Sequence, residues 1–99
     1  MYIPVYTTLK IKKLNLFFFQ VATKIEQHII DQVRNLRIKQ GISIIDFAYE
    51  MGFSRGFVAA IENPKSRAKY NINHLNKIVK ILDCSFADLF PAEPFDDEE

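Results

Sequence analysis

A single cysteine, Cys84, stands among the 99 residues, so no disulfide can form within the chain. A lone thiol inside an apolar pattern reads as a small core residue, and it suits a reducing cytoplasm. Histidine is nearly as scarce: His28 and His74 lie far apart, with no cysteine or acid at ligand spacing. No metal site is expected from them, and they read as surface or helix-end residues. No apolar run approaches the roughly 20 residues that a membrane-spanning helix needs. The nearest, "LNLFFFQVA", is interrupted by Asn15 and Gln20 and is followed by no clear cleavage site, so neither a membrane anchor nor export is expected. There is no nucleophile with a base in register and no glycine loop able to cradle a phosphate, so neither catalysis nor a bound cofactor is expected. Internal repeats are lacking too.

What is present fits one small domain: 48% hydrophobic residues, four scattered prolines and a length that buries one modest core. The formal net charge of +1 hides a polarity along the chain. Residues 1 to 23 carry three bases (Lys10, Lys12, Lys13) and no acid, residues 24 to 82 carry ten bases and five acids, and residues 83 to 99 carry seven acids and no base. Mixed charge on a helical domain is ordinarily a solvated face, whereas a basic body with an acidic end is associated with polyanion binding. The charge leans toward nucleic acid.

Residues 1–22 differ in composition from the rest. A strand paired with another chain, an unstructured arm and a stretch preceding the true start all fit "MYIPVYTTLKIKKLNLFFFQ"; an arm is the expectation. From Thr23 the pattern is helical. Thr23 and Glu26 have capping-box spacing, and Ile29, Ile30, Val33 and Leu36 share one face, predicting a helix from about Lys24 to Gln40 that ends at Gly41. Ser43 caps a second helix, "IIDFAYEM", buried through Phe47, Ala48 and Met51. Gly52 stops it, Phe53 points inward, and Ser54 caps a third helix over about 55–63 with Val58 and Ile61 inside. Asn63 closes that helix because the residue before Pro64 is pushed out of helical geometry. Asn71 caps a fourth helix carrying Ile72, Leu75, Ile78, Val79 and Leu82, and Ser85 and Asp88 begin a short fifth, "FADLF", ended by Pro91. A domain over 23–91 and a solvated acidic tail over 92–99 complete the division.

Two short helices joined by Gly52, Phe53 and Ser54 form the informative unit. With "RIKQGIS", "FAYEMGFS", "VAAIE" and "LNKIVKILDCSFADLF", it resembles the helix-turn-helix domain of the Cro and phage-repressor (XRE-like) transcription regulators over about residues 29 to 90. The resemblance implies an all-α, five-helix fold that binds double-stranded DNA in a sequence-specific way, with the third helix in the major groove. It also implies an ion pair between Arg37 and Glu62 with a structural role. Arg55, Gly56, Ala59 and Ala60 are then the residues that meet bases or the groove, Arg55 through a phosphate or guanine O6/N7 and the alanines through thymine methyl groups. Ser54, Lys65, Ser66, Arg67, Lys69 and Tyr70 are the expected phosphate contacts.

The pattern departs from the family where glutamine or another hydrogen-bonding residue is usual and Ile44, Gly56 and Ala60 stand instead. Readout by hydrogen bonds is thin, and shape and methyl contact take its place. Small residues on an exposed helix also let another helix approach, so a protein-interaction module, such as an antitoxin-like partner, is the alternative. Lys65, Arg67 and Lys69 favour DNA, since a one-sign loop is suited to phosphates. Phe57 is expected to pack against the second helix rather than stack on a base. Ile44 and Ile45 cannot both be buried, and one of them with Ile81 or Phe90 would give a homodimer its apolar patch.

Overall fold

The structure is a computed structural model and describes residues 22–96; the expected arm, apart from Ala22, and the last three acids of the tail lie outside the described residues. The first helix, α1 (Lys24–Lys39), starts where the sequence supplies its own cap. The Thr23 N–H donates to Glu26 Oε1 at 2.9 Å and the Glu26 N–H donates to Thr23 Oγ1 at 3.3 Å, so two N–H groups without helical partners are satisfied reciprocally. α2 (Ile44–Met51), α3 (Arg55–Glu62) and α4 (Ile72–Leu82) follow, each capped by the side chain of Ser43, Ser54 or Asn71.

Three of the four helices end in the same way. At α1 the Ile42 N–H reaches Arg37 O at 3.0 Å and the Gly41 N–H reaches Ile38 O at 2.9 Å. At α2 the pair is Phe53 to Ala48 at 2.8 Å and Gly52 to Tyr49 at 3.1 Å, and at α4 Cys84 reaches Val79 at 3.1 Å. This closure needs a left-handed residue, which Gly41, Gly52 and, against its steric preference, Asp83 supply at φ of 73°, 78° and 52°.

The segment expected as a fifth helix is a 3-10 turn, Phe86–Asp88, begun by the Ser85 and Asp88 capping box. Pro91 explains the difference. It offers no N–H and restrains Phe90, so the turn cannot propagate, and tight Asp88 to Ser85 and Leu89 to Phe86 bonds of 3.1 and 3.0 Å end it. That geometry drops Leu89 fully into the core. Among the described residues there are four α-helices, this turn and no strand.

The core joins Val33 of α1, Phe47, Ala48 and Met51 of α2, Val58 of α3, and Leu75, Ile78 and Leu82 of α4 with Leu89. Each large aliphatic or aromatic side chain so removed from water contributes roughly 1.5–3 kcal/mol before chain entropy is subtracted. Two glutamines tie α1 to the other end of the domain: Gln40 Nε2 donates to Leu82 O at 2.7 Å and Gln32 Nε2 to Asp88 O at 3.0 Å. Cys84 packs against the core, where burial, and then Asp88 and Asp83, push its thiol pKa up and away from reactivity. Of the expected apolar patch, Ile44, Ile81 and Phe90 lean on the core, while Ile45 and its neighbour one turn on, Tyr49, are exposed at 56% and 81%. Residues 92–96 are exposed, with Phe95 set edge-on to His28 of α1 at 5.9 Å. No helix among the described residues is long and apolar enough to cross a membrane.

Candidate nucleic-acid interface

α2 and α3 are joined by three residues, each held for a separate reason. Gly52 takes the left-handed conformation, and Phe53 turns its ring inward. Ser54, in extended geometry, accepts the Phe57 N–H on its hydroxyl at 3.2 Å and so starts α3. Ala48, 1% exposed, lets α3 cross α2 closely. Lys77 of α4 adds a restraint that the sequence pattern did not reveal: its Nζ donates to Met51 O at 3.0 Å, capping the last carbonyl of α2 beside the turn.

Val58 and Ile61 anchor α3, and its other side faces water. Ser54, Arg55, Gly56, Ala59 and Asn63 are exposed there and Ala60 is half-buried at the seam. Arg55 makes no ion pair among the described residues. Gly56 has an ordinary negative φ, and a Cβ built on it would meet nothing nearer than Ser54 Oγ at 3.9 Å. Nothing among the described residues therefore requires glycine at 56, although it disfavours the helix by about 0.8–1 kcal/mol relative to alanine.

The loop after α3 is shaped by side chains bonding to backbone. Asn63 Oδ1 accepts the Lys65 N–H at 3.0 Å, the Ser66 N–H reaches Asn63 O at 2.9 Å, and Ser66 Oγ accepts the Ala68 N–H at 3.1 Å. Lys65 and Arg67 are exposed. Lys69 is half-buried and engaged, its Nζ 3.1 Å from Glu26 Oε1 in the α1 cap. Burial opposes the charge on Glu26, but the Thr23 backbone bond and Lys69 outweigh it and hold that carboxyl below its usual pKa.

Tyr70 departs from its expected role. Its hydroxyl is buried with no hydrogen-bond partner among the described residues, so it does not reach outward to a phosphate. The loop turns inward at this residue, placing the ring over the buried ion pair; burial first, then the charge of Glu62, raise the phenol pKa far above normal. Beneath it Arg37 grips Glu62 with both arms of its guanidinium, Nε to Oε2 at 2.9 Å and Nη2 to Oε1 at 2.8 Å, and gives Nη1 to Ile42 O at 2.6 Å. Both side chains are nearly sealed, at 7% and 6% exposure, and Arg34 adds a second cation 3.6 Å from Glu62. The pair fixes the end of α3 to α1. Glu62 is thus neutralised from inside, which leaves the exposed charge at this end of α3 positive.

Phe57 packs with Phe53 of the turn and His74 of α4, its ring centroid 4.9 and 6.1 Å from theirs. His74 also closes a capping box at the start of α4: the Asn71 N–H donates to its Nδ1 at 3.0 Å, and its own N–H donates to Asn71 Oδ1 at 2.8 Å. Sequence spacing marks Asn71 as the cap, but a histidine in the place of the usual glutamate or glutamine hides its return bond.

A tightly turned helix pair whose second helix presents a lean outer face, flanked by exposed cations, is the arrangement used to enter a DNA groove. Comparison with curated proteins and with solved structures gives no match. The family model described as Cro/C1-type HTH DNA-binding domain matches residues 32–94, which spans the second half of α1, α2, the turn, α3 and α4. With more than half of its residues in that match and this helix pair at its centre, the chain belongs to the family of Cro/C1-type helix-turn-helix DNA-binding domains.

Proposed function

We propose that the chain is a sequence-specific transcription regulator of double-stranded DNA that works in the cytoplasm without cofactor or catalysis, residues 23–91 forming the binding domain between an arm (1–22) and an acidic tail (92–99). α3 lies in the major groove. Arg55 reads a base edge or clamps a phosphate, Gly56 admits the DNA backbone closely, and Ala59 and Ala60 meet thymine methyl groups. Ser54, Lys65, Ser66 and Arg67 hold phosphates on either side, and Lys69 joins them once it exchanges Glu26 for DNA. A homodimer would set two copies of α3 about 34–36 Å apart on an inverted repeat, with Ile45 and Tyr49 as its exposed apolar residues. A face open to DNA is also open to a protein; family membership is what separates the two.

The observation that carries the reading is the uncovered outer side of α3, including a glycine for which the domain has no internal use. Selection from random duplex DNA tests it. Recovery of a motif is expected, and Arg55→Ala should weaken binding to that motif by roughly 1–3 kcal/mol while changing binding to unrelated duplex much less. Lys65→Ala should weaken all sequences and lower the salt slope by about one, with Lys69→Ala doing less because Glu26 already holds that ammonium. Selection that returns no motif refutes sequence-specific readout, and an Arg55→Ala variant that weakens every duplex equally assigns Arg55 to a phosphate instead of a base.

A further inference from the structure

A capping box ordinarily places a carboxylate or amide where this chain has His74, and the imidazole differs in having a second nitrogen. Since Nδ1 accepts the Asn71 N–H, the proton of the neutral ring resides on Nε2. Burial, and after it the charge of Lys77 on the same helix, lowers the His74 pKa and keeps the ring neutral at physiological pH. The ring is held edge-on by Phe53 at 4.7 Å, Phe57 at 6.1 Å and Tyr70 at 6.3 Å. Phe57 lies in the first turn of α3, where Ser54 caps it, so His74 reaches from α4 to the end of α3 that carries Arg55. Nε2 has no hydrogen-bond partner among the described residues, yet, unlike the Tyr70 hydroxyl, it is not sealed from solvent. A ring fixed in tautomer and orientation, with its one N–H left open beside the DNA-facing helix, is a positioned donor without an acceptor.

The geometry points to His74 as a further DNA-contact residue whose Nε2–H donates to a backbone phosphate beside the first turn of α3. This rests on the DNA-binding reading above. A phosphate is favoured over a base edge because the ring is packed against Phe53 and Phe57 on the body of the domain and the charge acting on it is the cation Lys77.

The test uses the full chain and a duplex selected by it, in which each phosphate is replaced in turn by a methylphosphonate. His74→Glu retains an acceptor for the Asn71 N–H but has no donor, whereas His74→Gln retains both. Binding of the unmodified duplex should weaken roughly tenfold or more in His74→Glu and stay within about threefold in His74→Gln, as expected for loss of a hydrogen bond to a charged group. One phosphate whose neutralisation weakens the wild type should lose that effect in His74→Glu. The same coupling is measured in His74→Met, which lacks both donor and charge, so a folding defect in one variant leaves the other to decide. If no phosphate is coupled to residue 74, or if Asn76→Glu on the exposed side of α4 weakens binding as much as His74→Glu, the contact is refuted. Wild type that retains no duplex overturns the DNA-binding reading and this inference together; wild type that binds, with residue 74 uncoupled, overturns this inference alone.

Discussion

Replacing Glu62 by glutamine removes one charge of the buried Arg37–Glu62 pair and leaves the other in place. Glu62→Gln leaves the Arg37 guanidinium at 7% exposure with its carboxylate partner gone. Gln keeps one acceptor for the fork but turns an NH2 toward the second arm, so of the three bonds at 2.9, 2.8 and 2.6 Å one becomes a donor facing a donor. Breaking a buried pair from one side costs about 3–5 kcal/mol. A domain of this size has about 5–15 kcal/mol in all, so roughly a fifth or more of its stability should go. With an m-value near 1 kcal/mol/M, the urea midpoint read by circular dichroism should fall by about 3–5 M with m unchanged. Arg37→Met should lose as much by stranding Glu62, with Arg34 too far out and too exposed to compensate. The double variant Arg37→Met/Glu62→Met should return most of the loss, because two desolvated charges leave together. A Glu62→Gln loss below about 1 kcal/mol, or single losses that simply add in the double variant, would refute the reasoning.

The remaining predictions concern single groups. Tyr70→Phe removes a buried hydroxyl that has no partner, so urea titration should show stability unchanged or raised by up to about 1 kcal/mol; a salt slope altered by the same change would restore Tyr70 as a phosphate contact. Asp83→Gly relieves a left-handed residue at φ 52° and should raise stability by about 0.5–1 kcal/mol, checked by the same titration. The folded His74 ring binds its proton less tightly than the unfolded one, so below about pH 6.5 the unfolded chain takes up more protons and stability falls. Thermal melts between pH 7.5 and 5.5 should show that loss in the wild type and a smaller one in His74→Gln.

The four helices were legible in the sequence because what begins and ends them lies within three to five residues along the chain. Thr23 with Glu26, Ser43, Ser54 and Asn71 act on N–H groups of their own first turns, and Gly41 and Gly52 supply backbone freedom where each helix must stop. The apolar spacing then names the buried face. The 3-10 turn was misread at the same range, because a cap and two apolar residues describe a helix start equally well until Pro91 and the burial of Leu89 limit its length.

Composition and local pattern by themselves settled the order of helices, their N-capping residues Thr23, Ser43, Ser54 and Asn71, and that Arg55, Gly56 and Ala59 of α3 stay outside, since each of these is decided by neighbours in the chain. Only the tertiary structure decided that Tyr70 turns inward over Arg37 and Glu62, that Lys69 is held by Glu26, and that Lys77 closes the end of α2. Those contacts join residues 26 to 43 positions apart or rest on burial by other helices. Charge and polarity mark such groups as able to pair, but which partner each one meets is set by how the helices cross.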